Sequence, residues 1–75
     1  MLQTMRLKQG LSQSQLAIKT GIPKNTIISY EHGVSNINTA KLETLLKFCI
    51  VLECKLNDLL TDTSLMNLVT LYDAR

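Results

Sequence analysis

Ser12-Gln13-Ser14-Gln15-Leu16-Ala17-Ile18-Lys19-Thr20-Gly21-Ile22-Pro23-Lys24-Asn25-Thr26-Ile27 carries two helix starts and one helix stop, and its reading decides the fold. Ser12 and Gln15 have the spacing of a capping box, in which the serine hydroxyl takes the N3 amide and the glutamine returns to the cap amide. Leu11 before the cap and Leu16 at N4 add a hydrophobic staple. The helix so begun runs to about Thr20. It stops at Gly21, a residue able to take the left-handed turn. Pro23 fits only the first turn of a helix, so a second helix starts there and ends at His32-Gly33. Both helices are too short to stand alone and must pack against others.

Working outward, Leu2 and Met5 belong to a short first helix that Gly10 ends. Val34 to Asn38 reads as a polar loop, with Asn38 or Thr39 capping a fourth helix that runs to about Leu52. Leu42, Leu45, Leu46, Cys49 and Leu52 have the spacing of its buried face. Phe48, Ile50 and Val51 fall off that stripe. A short fifth helix covers about Leu56 to Leu60. The tail opens on the capping cluster Thr61-Asp62-Thr63-Ser64, and Leu65, Leu68, Val69 and Tyr72 fit a helical face. Val69-Thr70-Leu71-Tyr72 would also suit a strand, and helix is the preferred reading. The expected architecture is therefore all-α: a five-helix domain over residues 1–60, with a C-terminal extension at 61–75 as a dimerisation element.

Seventy-five residues, 45% apolar and 19% charged, are enough for one folded domain with a modest aliphatic core. No apolar run approaches the roughly 20 residues that span a bilayer, and no signal-type cleavage site is present, so a cytoplasmic protein is expected. The net charge of +2 is unevenly spread. Through Tyr30 there are Arg6, Lys8, Lys19 and Lys24 and no acid, whereas six acids face four bases from Glu31 onward. A footprint for a polyanion would thus lie at the N-terminal end. Cys49 and Cys54 sit in apolar surroundings with only His32 available to join them, which suits two reduced core thiols and no metal. No nucleophile–base pair and no phosphate-cradling glycine loop occur, so neither an enzyme nor a bound cofactor is expected.

Two short helices with Ala17 at their crossing, Gly21 in the turn and Leu16, Ile22 and Ile27 between them define a helix-turn-helix unit. Gln13, Lys24, Asn25, Thr26 and Ser29 are left to face outward, and their amide, ammonium and hydroxyl groups suit base edges and phosphates. Taken with Arg6, Gly10, Tyr30, Glu31, Gly33, Leu42 to Lys47 and Asn57-Asp58-Leu59-Leu60, this pattern resembles the Cro/phage-repressor (XRE) type of regulator, with its lambda-repressor-like fold.

The resemblance implies that Lys24, Asn25 and Ser29 reach base edges. It implies that Thr26, His32 and the amides after Gly33 lie near phosphates, and that Gln13 contacts a phosphate or braces a base-reading side chain. It implies an ion pair between Arg6 and Glu31. Set against these are plainer readings: Gln15 as a cap alone, Lys24 and Asn25 as a solvated face, His32 as a helix-end residue. Pro23 departs from the family, standing where a serine or threonine usually caps the recognition helix. The 33–42 loop also departs, carrying asparagines where lysine or arginine is common.

The function expected is a DNA-binding transcriptional regulator, a repressor on a palindromic operator. It would act as a homodimer through Phe48, Ile50, Val51 and the apolar tail. The alternatives are an antitoxin-like protein that also grips a protein partner, and an interaction module without DNA binding. For the tail, the alternative is that it folds back over its own fourth helix.

Overall fold

The computed structural model describes residues 1–75 as six α-helices and one 3-10 turn. Helix α1 spans Leu2–Lys8, α2 Gln13–Thr20, α3 Lys24–Glu31, α4 Leu42–Leu52, α5 Leu56–Leu59 and α6 Thr63–Asp73; the 3-10 turn is Ile37–Thr39. The start of α2 is the capping box read from the sequence. The Gln15 amide donates to Ser12 Oγ at 3.0 Å, and the Ser12 amide donates to Gln15 Oε1 at 2.8 Å. Gly21 closes the helix at φ +73°, its amide bonding the Ala17 carbonyl at 2.9 Å. A Cβ there would meet no neighbour, so the requirement for glycine is conformational.

The turn between α2 and α3 is held from inside. The buried Thr20 hydroxyl donates to the Leu16 carbonyl at 2.7 Å and accepts the Ile22 amide at 3.2 Å. Both polar atoms of the turn are thereby satisfied while Ile22 enters the core. Pro23 then caps α3 from an extended conformation, its carbonyl taking the amides of Thr26 and Ile27.

Leu2, Leu16, Ile22, Ile27, Ile37, Leu45, Phe48, Leu52, Leu59 and Leu60 form one core. Tyr30 of α3 stands edge-on to Phe48 with ring centroids 6.3 Å apart, a favoured aromatic geometry. The fully buried Phe48 corrects the sequence reading of α4. The buried face is Leu45, Phe48 and Leu52, with Cys49 and Val51 at its margin, and Leu42 and Leu46 face solvent. A helix apolar on most sides does not mark its inner face by spacing, so the choice goes to the residue burying most area, the phenylalanine.

The helix also begins later than expected, at Leu42. Asn38 is not its cap. The Asn38 side chain instead accepts the amides of Thr61 and Asp62 at 2.8 and 2.9 Å and donates to Thr61 Oγ1 at 2.7 Å. Asn36 caps the 3-10 turn through the Asn38 amide. Ile37, between them, is buried, so this segment is a structured strap rather than a polar loop.

The tail is helical. Asp62 caps α6 by accepting the Leu65 amide at 3.1 Å. Asn57 of α5 ties it down, donating to the Met66 carbonyl and to Thr70 Oγ1. Leu65, Met66 and Val69 pack against the core, which removes them from the free apolar surface that the sequence suggested. The tail folds back on α5. Only Leu68, Leu71 and Tyr72 remain outside.

Candidate nucleic-acid interface

Recognition of a base edge needs a helix whose outer face is rigidly aimed and chemically free. The aim of α3 is fixed by a buried polar cluster. Arg6 Nε donates to Glu31 Oε2 at 2.7 Å, and Arg6 Nη2 donates to Glu31 Oε1 at 3.0 Å. Arg6 Nη1 reaches the Leu11 carbonyl at 2.8 Å. Gln13 Nε2 adds a third bond to Glu31, at 3.0 Å to Oε1. One carboxylate at the end of α3 thus gathers α1 and the first residue of α2. The Glu31 side chain is only 1% exposed and that of Arg6 9%. Burial by itself would raise the Glu31 carboxyl, but the bonds from Arg6 and Gln13 and the Arg6 charge outweigh it and hold it below the usual carboxylate range. The bond to Glu31 raises Arg6 above its ordinary value.

On α3 itself, Ile27 is buried and Tyr30 half-buried, and the face opposite them is the free one. Asn25, Ser29 and His32, at i, i+4 and i+7, share it, with Lys24 on its edge. Lys24, Asn25 and His32 are exposed and Ser29 half-buried, and none of these four side chains makes a hydrogen bond within the protein. Ile28, half-buried between Lys24 and His32, lies on the same face and was missed in the sequence. The signal was present: with Ile27 and Tyr30 turned inward, position 28 must turn outward. An aliphatic group there suits the methyl of a thymine.

Thr26 lies on the other flank of α3. It lines a cleft of about 440 Å³ together with Tyr30, Lys41, Thr44 and Lys47. Gln13, the first residue of α2, has its amide nitrogen committed to Glu31. The amides just after Gly33 are also committed, since those of Val34 and Ser35 both donate to the Ser29 carbonyl, at 2.9 and 3.1 Å. The phosphate contact that the resemblance implied for them is therefore not available from this conformation.

A family model described as helix-turn-helix matches residues 2–59, most of the chain and all of α1 to α5. The chain belongs to the Cro/phage-repressor (XRE) type of helix-turn-helix regulators. Comparison with curated proteins and with solved structures gave no match. As a helix-turn-helix protein it is a DNA-binding transcriptional regulator, with α2 and α3 as the unit's two helices. The family match ends at Leu59, so α6 lies outside it. Elsewhere in this regulator, burial pushes the Cys49 thiol up to about 12, with Cys54 beside it adding to the effect, and burial raises Cys54 too. Such thiols are poor nucleophiles and poor ligands. No three His, Cys, Asp or Glu side chains converge on a point, and no helix is long and apolar enough to cross a membrane.

Proposed function

We propose that this regulator is a cytoplasmic repressor that binds a near-palindromic duplex site as a homodimer, with residues 1–60 as the DNA-binding domain and 61–75 as an extension. Lys24, Asn25 and Ser29 read base edges, with Ile28 against a thymine methyl. His32 and Thr26 meet phosphates at either flank, and Gln13 acts by holding Glu31 and so the angle of α3. The observation that carries this reading is the outer face of α3: four unpartnered polar side chains, three on the helix and one on its C-cap His32, with the helix fixed at its far end by a buried carboxylate. One such helix spans only a few base pairs, and two copies about a two-fold axis supply the rest, with half-sites ~34–36 Å apart.

Selection from a random duplex library, followed by footprinting of the winner, tests the proposal. An inverted repeat with one helical turn between half-site centres is the expected product. Affinity should fall steeply with salt, as phosphate contacts require. A pool that gives no enriched sequence contradicts it.

A further inference from the structure

Outside the core, α4 carries Leu42, Leu46 and Ile50, which are 62%, 43% and 76% exposed. Spaced four apart, they form one ridge roughly 12 Å long. We infer that this ridge, and not the tail, is where two copies of the chain meet, with the two α4 helices packed antiparallel across the two-fold axis. The inference rests on the homodimer proposed above and names its surface.

Three features of α4 select a second copy as the occupant. The ridge is symmetric about Leu46: reversing the helix lays Leu42 over Ile50, so Leu46 meets the partner's Leu46 and each Leu42 meets the partner's Ile50. The ridge is also bordered by charge of both signs. Glu43 and Lys47 run along one edge, joined at 3.2 Å within the helix. In an antiparallel two-fold pair the same edges of the two helices face each other. Glu43 stands three residues before the centre and Lys47 one residue after it, so each Glu43 falls about 3 Å along the axis from the partner's Lys47. Each Lys47 then lies between two glutamates.

The third feature is direction. The Glu43–Lys47 edge is the side of α4 that faces α3, since Glu43, Thr44 and Lys47 line the cleft with Thr26 and Tyr30. A two-fold axis along that edge brings both recognition helices to one side of the dimer, as a single duplex requires. Three aliphatic side chains per copy fall short of the roughly 800 Å² per partner of a standard stable interface. The contact is therefore weak in solution and becomes firm when both copies share one duplex.

The test compares the full chain with Leu46→Glu and Leu71→Glu by sedimentation, and by binding to the selected operator and to a single half-site. Both positions are exposed, and thermal melts establish that each variant is folded. Leu46→Glu should sediment as a monomer and lose at least ~10-fold in affinity for the full operator, while its half-site affinity is unchanged. Leu71→Glu should match the parent. Glu43→Lys should weaken the dimer, and adding Lys47→Glu should restore it. A Leu46→Glu protein that still fills both half-sites cooperatively, with Leu71→Glu failing, overturns the α4 surface and leaves the homodimer standing. A parent chain that is monomeric and fills half-sites independently overturns the homodimer itself.

Discussion

The helix-turn-helix segment, residues 12–31, and helix α4 are held by different forces. In the first, most element boundaries are polar events: the Ser12–Gln15 box, the left-handed turn at Gly21, the Thr20 hydroxyl inside that turn, and Glu31 gathering Arg6 and Gln13. In the second, α4 starts at Lys41 with no side-chain cap and ends at Glu53, a non-glycine residue at φ +51°. It carries apolar residues on most of its circumference. Directional bonds permit one geometry and so aim α3. Apolar packing accepts several faces, buries the one with the largest side chain, and leaves Leu42, Leu46 and Ile50 in solvent.

The strongest way to break this contrast is to remove its polar anchor. Glu31→Ala leaves Arg6 buried without a partner and should cost ~3–5 kcal/mol. For a chain of this length total stability is of order 4–11 kcal/mol, so the variant is largely unfolded or melts well below the parent. Thermal unfolding without DNA checks this, and a parent-like melt would show the cluster to be dispensable.

Helix α4 should instead be sensitive by face. Phe48→Ala should cost ~3–5 kcal/mol through the cavity it leaves. Leu46→Ala, two residues away on the exposed side, should stay within ~0.5 kcal/mol. Equal losses at the two positions, by denaturant titration, would contradict the observed face of α4.

Acid titration sharpens the same comparison. Because Glu31 is held below the usual carboxylate range when folded, the stability it contributes is present above its unfolded pKa, about 4.3, and is lost as pH falls through the lower folded value. The parent should therefore exceed Glu31→Gln by a constant margin above about pH 5, and the margin should shrink as pH drops below about 4. The smallest effect lies at the end of α4: Glu53→Gly relieves a left-handed residue and should raise stability by up to ~1 kcal/mol.

The contrast also explains what could be read from residues alone. The capping box, the glycine stop and the proline start act over three or four positions, so α2, its turn and α3 were legible. So was the outward set Lys24, Asn25 and Ser29, because Ile27 and Tyr30 claim the inner face. Tertiary competition decided the rest. The roles of Asn36 and Asn38 depend on where the α5–α6 connection passes, which no local pattern encodes. Phe48 reads as an outside residue because the leucine spacing of α4 fits two neighbouring faces equally well. The bonds of the Val34 and Ser35 amides to the Ser29 carbonyl escape local reading for a similar reason, since they form only once the chain turns back after Gly33.

The claim on which the account turns is that the outer face of α3 reads bases, and Asn25 is its one side-chain amide. The direct measurement is the affinity of Asn25→Ala and the parent for the selected operator and for its single-base variants, at one salt concentration. The account predicts a loss of ~1–3 kcal/mol with preference relaxed at one base pair, most simply an adenine. Unchanged affinity together with unchanged preference at every position would contradict it.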